Sequence, residues 1–185
     1  YIINNVAHEA IVTRARKQLR LCTVVFLAFF LSFLVHVLLK DGYAYDPQTG
    51  LIFVQPFKYL HNLTTMWYLT LVLLVGVVSL LYGIVRTLRE PNFKRGIWFG
   101  GVGVVLVVLV LLLCAGWNNT AYYPSNADLQ SSLTIANSSG SEFTLTAMSV
   151  VSLLVPFVLA YIFVAWRAID RKPITEDEIM NGESY

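Results

Sequence analysis

Four apolar stretches, at 21–39, 67–85, 97–117 and 147–166, alternate with polar segments along this 185-residue chain, and none of the four contains Asp, Glu, Lys or Arg. A bilayer hydrocarbon core of about 30 Å is crossed by about twenty helical residues. In lipid each backbone N–H and C=O has to be paired within its own segment, so each stretch is predicted to be a membrane-spanning helix. The expected fold is an all-α integral membrane protein: four transmembrane helices forming one bundle, with two longer outward-facing loops. The chain then divides into a basic flank at 1–20, the bundle at 21–167 and a tail at 168–185.

The polar segments carry weaker signals. Residues 6–20 combine good helix formers with basic side chains and predict a helix that runs into the first span. In the first long loop, 40–66, Asp46-Pro47-Gln48-Thr49-Gly50 has type I turn chemistry. Tyr43, Tyr45, Ile52 and Val54 on either side suit a short β-hairpin. The mixed aromatic and polar run at 55–62 suits the lipid–water interface. The second long loop, 118–146, is rich in Asn, Ser and Thr and exceeds an ordinary connection, which marks it as functional or flexible. Asn62, Asn118 and Asn137 each begin a formal N-x-S/T sequon. Pro156 stands mid-helix in the fourth span and predicts a kink. In the tail, Thr175 and Glu178 have capping-box spacing ahead of a short helix near 176–180.

Composition and charge sharpen this picture. The chain is 57% hydrophobic and only 13% charged, against about 25% charged residues in soluble domains. Eleven of the thirteen Lys and Arg residues lie in the N-terminal flank, the 86–95 link and the stretch from Arg167 onward. Lys40 and Lys58 are the remaining two, and the second long loop has none. The positive-inside rule therefore places both ends of the bundle and the 86–95 link in the cytoplasm, with both long loops outside. Cys22 and Cys114 fall near opposite ends of their spans, so by helical rise they should lie more than about 20 Å apart in depth. That is too far for a disulfide, and both read as packing residues.

Candidate chemistry is sparse. An ionisable group inside a span is a functional candidate by default, and His36, near the outer end of the first span, is the one available. It is a weak candidate cofactor ligand, because no second ligand accompanies it. There is no Cys-x-x-Cys, His-Glu-x-x-His or phosphate-cradling loop, so no catalytic residue and no metal site is assigned. A proton path through the middle of the bundle would need carboxylates or histidines, which argues against an autonomous pump or metalloenzyme. Gly96, Gly100 and Gly103 are candidate helix-packing positions, Gly96 and Gly100 having small-xxx-small spacing. Two general readings remain: one half of a secondary transporter, which predicts a broken helix with a polar mid-membrane site, and a four-span structural membrane protein. Nucleic acid is not an expected partner.

The residues of the second loop narrow this further. The run from Gly116 through Trp117, Asn118, Asn119, Thr120, Ala121, Tyr122, Tyr123 and Pro124 to Ser125 resembles subunit II of the bacterial cytochrome bd quinol oxidases. So do the runs 128–135, 143–149 and 155–162, and earlier 14–19, 39–42 and 58–62. That subunit is roughly twice as long, so the chain resembles its C-terminal bundle with the preceding cytoplasmic linker. The resemblance implies a multi-pass protein of the bacterial inner membrane with a cytoplasmic C-terminus. It implies a terminal oxidase that oxidises quinol and reduces dioxygen to water in the aerobic respiratory chain, with electrogenic turnover. Haem b and haem d then belong to the partner, the haem-bearing subunit I. This chain holds no haem, a structural quinone being a further possible ligand, and its part is assembly and packing, in contact with membrane lipid. On that reading the 118–143 loop closes the outer face.

Overall fold

The computed structural model describes residues 2–5 and 8–169. The expected capping box and short helix of the tail lie outside the described residues. The chain falls into two compact units, residues 23–138 and residues 1–22 with 139–185. Among the described residues four helical segments are long and apolar enough to cross a membrane, so the fold class is that of an all-α integral membrane protein.

A one-turn helix α1 (Ile2–Asn5) precedes α2 (Glu9–Leu39), which runs 31 residues without a break. Glu9 stands in its first turn, where a negative charge complements the helix dipole. The basic stretch and the first apolar stretch are thus one continuous helix, as the helix-forming composition of both predicts. In the 23–138 unit α2 is followed by the hairpin β1 (Gly42–Tyr45) and β2 (Ile52–Gln55). Its register pairs Gly42 with Gln55 and Tyr45 with Ile52. The turn closes one residue later than type I chemistry implies, because the Gly50 N–H donates to the Asp46 carbonyl at 2.8 Å and Gly50 adopts φ 71°. The Asp46 carboxylate accepts from the Gln48 N–H at 3.0 Å and from the Thr49 hydroxyl at 2.8 Å. Those two bonds hold its pKa below the usual carboxylate value.

Then come α3 (Lys58–Thr65), α4 (Trp67–Arg89) and α5 (Gly96–Gly116). The contacts between α4 and α5 define the core. Gly76 meets Gly103, and seven residues further along α4 Gly83 meets Gly96, so the two helices run antiparallel. A Cβ on Gly103 would lie 2.6 Å from the Gly76 carbonyl oxygen, and one on Gly83 2.8 Å from that of Gly96. Only glycine permits this backbone approach. Toward the other end of the pair Leu69, Leu73, Val107, Val110 and Cys114 fill the interface, with Leu63 and Met66 beneath. Phe30 and Leu38 of α2 pack against this cluster.

At the link between α4 and α5 the Arg86 guanidinium lies 5.0 Å from the Phe93 ring centroid and 5.5 Å from that of Tyr82. It also pairs with Glu90 at 2.6 Å. Tyr82 in turn packs edge-on against Phe99, with centroids 5.0 Å apart. These contacts close the turn between the two helices.

Span four is two helices, α7 (Glu142–Ser152) and α8 (Val155–Ile169), separated at Leu153–Leu154. Pro156 has no N–H for the Ser152 carbonyl, and its ring clashes with that group. The chain tightens instead, with Leu153 N–H donating to the Val150 carbonyl and Leu154 N–H to that of Val151. The expected kink is therefore a break. Helix α7 begins five residues ahead of the apolar stretch, capped by Ser141, whose hydroxyl accepts from the Thr144 N–H at 3.3 Å. All four tryptophans, Trp67, Trp98, Trp117 and Trp166, are exposed and stand close to helix ends. That is where indole rings meet the lipid–water interface.

Candidate functional site

The most organised chemistry in the 23–138 unit is a buried polar network where the two long loops meet the end of α5. It is built on α3. Lys58 and Asn62 lie one turn apart on the same face of that helix, with relative exposures of 3% and 0%. Both amide atoms of Asn62 are used. Its Nδ2 donates to the Cys114 carbonyl at 2.9 Å and to Thr120 Oγ1 at 2.8 Å, and its Oδ1 accepts from Asn118 Nδ2 at 3.0 Å. The Lys58 ammonium donates to the Asn118 carbonyl at 2.9 Å. Thr120 Oγ1 passes its own proton to the Trp117 carbonyl at 2.6 Å.

Helix physics explains why these groups gather here. The last carbonyls of a helix have no intrahelical donor. That of Cys114 in α5 is buried and takes its donor from Asn62 of α3, while the Trp117 carbonyl just beyond the helix takes one from Thr120 of the loop. The chain must also turn sharply beyond α5. Asn118 and Asn119 do so in the left-handed region, φ 54° and 55°, which Asn tolerates better than most residues. The N-terminal side of α3 is strained as well, since Phe57 sits at φ 50°. Its amide is held by Asp41 Oδ1 at 3.4 Å. Gly42 lies so close to α3 that a Cβ would come within 2.7 Å of Lys58 Cβ. Burial lowers the Lys58 pKa, because desolvation penalises the charged form.

The second loop is anchored to the first. Asn119 accepts from the Tyr45 N–H at 3.0 Å, and Ala44 pairs with Thr120. Two short strands, β3 (Ala121–Tyr123) and β4 (Leu133–Thr134), are followed by the single-turn α6 (Ile135–Ser138). Gln130 binds Ile52 as a strand would: its Nε2 donates to the Ile52 carbonyl at 2.8 Å and its Oε1 accepts from the Ile52 N–H at 2.9 Å. Asn137 Oδ1 accepts from the Thr134 N–H at 2.7 Å and its Nδ2 donates to the Ser132 carbonyl at 3.0 Å. All three sequon asparagines are thus engaged in the fold, and Asn62 is inaccessible to a modifying enzyme.

The positions singled out in the sequence fare differently. Gly96 and Gly103 lie at the α4–α5 contact, where a Cβ on Gly96 would overlap Thr87 Oγ1. Gly100 is a correction: a Cβ there would meet only Leu80 Cδ1 at 4.0 Å, so the close approach does not depend on it. The glycines opposite, Gly76 and Gly83, carry the other half of the contact. The signal that finds them is the seven-residue spacing shared by 76/83 and 96/103, rather than the four-residue spacing of 96/100. His36 stands exposed in the last turn of α2. His61 shares its Nε2 with Thr65 Oγ1 at 3.4 Å. Among the described residues, the exposed imidazole of His36 does not fit a buried haem-ligand position. Cys22 and Cys114 are free thiols. The residues that sequence reading missed are Lys58, Thr120 and Gln130, whose partners lie 52 or more residues away or depend on the loop's path.

These features define a multi-span α-helical membrane protein whose helix ends are clasped by buried polar bonds. Its family follows from the sequence: the family of cytochrome bd terminal oxidase subunit II matches residues 1–169. The chain belongs to that family, and so to the subunits of a respiratory oxidase complex. A comparison with curated proteins gave no match.

Proposed function

We propose that this chain acts as the non-haem subunit II component of a cytochrome bd-type quinol:oxygen oxidoreductase in the bacterial inner membrane. Its work is to support assembly and to pack against the haem-bearing subunit I, which carries haem b and haem d and performs the chemistry on quinol and dioxygen. The observation that carries this reading is the extent of the family match, which takes in all four spans and both long loops. The structure is compatible with a supporting role. The buried groups of α3, α4 and α5 bind one another, while α2, α7 and α8 bury no residue and leave apolar faces for lipid and neighbouring helices. The charge bias supports a cytoplasmic 86–95 link and cytoplasmic ends.

The break in span four does not favour a transporter. Ser149 and Ser152, the hydroxyls beside it, donate back to the Leu145 and Ser149 carbonyls at 2.8 and 2.7 Å. No polar cluster accompanies the break among the described contacts of α7 and α8.

The test is purification of the complex through a tag on this chain, followed by a reduced-minus-oxidised optical spectrum. Haem b and haem d bands together with quinol-dependent oxygen uptake are expected. A stable, colourless preparation without a haem-bearing partner overturns the proposal.

A further inference from the structure

The geometry points to a binding site for one anionic phospholipid, with an acyl chain in the groove between α2, α4 and α5 and its headgroup against the basic 86–95 link. The assignment needs the membrane fold and does not depend on oxidase activity. A cavity of about 190 Å³ lies between the three helices, and all ten of its lining side chains are Val, Leu or Phe. Phe26 and Phe30 come from α2, Val77 and Leu81 from α4, Val104 and Val108 from α5. Such a cavity offers nothing to hydrogen-bond water, and an apolar void of about 150 Å³ stays dry and accepts an apolar guest. In a bilayer the abundant guest of that chemistry is a lipid chain.

The groove leads toward charge. On α5 the face of Val108 and Val104 continues at helical spacing through Gly101 to Ile97. Where a Cβ on Gly101 would lie there is no heavy atom within 4 Å, and Ile97 is exposed, so this face is open down to the link. Val104 is nine residues from Arg95, about 13 Å by helical rise, a distance that a lipid chain covers. The link holds Arg86, Arg89, Lys94 and Arg95 against a single acid, Glu90. Arg86 is taken up by Glu90 and the two rings, while Arg89 and Arg95 are exposed. Juxtamembrane cations of this kind attract anionic headgroups, and a zwitterionic headgroup gains far less from them.

The test is native mass spectrometry with lipid extraction on the complex purified in mild detergent. One anionic phospholipid per chain is expected in the wild type. Val104→Trp, which fills the groove, should reduce it to background. Arg89→Gln with Arg95→Gln leaves the cavity intact and should weaken retention about fivefold per charge removed. Because the charge variant leaves the core untouched, it tests the assignment even where Val104→Trp impairs assembly. Absence of an anionic lipid from the wild type, retention unchanged in the charge variant, or release of a prenyl quinone in place of a phospholipid would each overturn the assignment.

Discussion

Replacing Asn62 by Ala removes the centre of the clasp, and its cost can be worked from the contacts. Three hydrogen bonds disappear, at 2.8, 2.9 and 3.0 Å. Thr120 Oγ1 keeps a partner, because it still donates to the Trp117 carbonyl. The Cys114 carbonyl loses its side-chain donor in a buried position, which costs about 1–3 kcal/mol. Asn118 is only half-buried, so water can reach its Nδ2, and that loss should be about 1 kcal/mol. The total is about 3 kcal/mol. For a chain of this size 1 kcal/mol moves Tm by about 2–4 °C, so a fall of about 6–12 °C is expected. The assay is thermal unfolding of the detergent-solubilised complex, followed by tryptophan fluorescence. A cycle with Asn118→Ala should give a coupling energy of about 1 kcal/mol, since the two amides touch. A Tm within about 2 °C of wild type, or additive effects of the two variants, would refute the claim that this network holds the loop end of the α4–α5 pair together.

Other variants probe the rest of the structure. Gly103→Ala should force α4 and α5 apart and cost about 1–3 kcal/mol, whereas Gly100→Ala should stay within about 0.5 kcal/mol; equal yields of assembled complex would show that the glycine contact is misplaced. Burial depresses the Lys58 pKa, so above its folded-state value the unfolded chain binds more protons than the folded one. Stability should then rise with pH up to the ordinary lysine value of about 10.4. Lys58→Met should lose that rise in a Tm-against-pH series, and an unchanged profile would mean that Lys58 is solvated. Gln130→Glu places an acceptor against the Ile52 carbonyl in place of a donor, and should increase proteolysis of the second loop with α4 and α5 left intact; unchanged cleavage would show that Gln130 does not anchor the loop.

The spans were legible because a twenty-residue run without charge has few alternatives to a membrane helix. The hairpin was legible because Asp46, Pro47 and Gly50 each favour a turn for a separate reason. The clasp was not. Lys58 and Asn62 sit in a mixed aromatic and polar run that reads equally well as an interfacial segment, and their partners are 52 to 60 residues away. The i,i+4 placement of Lys58 and Asn62 marks an inward face only once α3 is known to be a helix. Similarly, a loop of Asn, Ser and Thr cannot be told from a flexible one by composition. Its order comes from side chains such as Ser132, Asn137 and Gln130 bonding particular backbone groups, which depends on the path that the chain takes.

The placement of the clasp and the glycines follows from the solvent. Lipid tails are as apolar as leucine, so apolar burial alone gives spans little reason to choose one neighbour over another. Selectivity then has to come from backbone approach and from polar groups that would otherwise go unpaired. The α4–α5 pair uses both, at different depths. Glycines bring the backbones together from mid-helix toward the basic link. At the other end the buried side chains of Asn62 and Lys58 satisfy carbonyls near and just past the end of α5. Helix α2 reaches this pair through Phe30 and Leu38 and has neither device, which is why a groove remains beside it. The same reasoning makes the glycine contact and the clasp the positions where single substitutions should matter most, and the exposed apolar faces of α2, α7 and α8 the positions where they should matter least to the fold and most to what binds there.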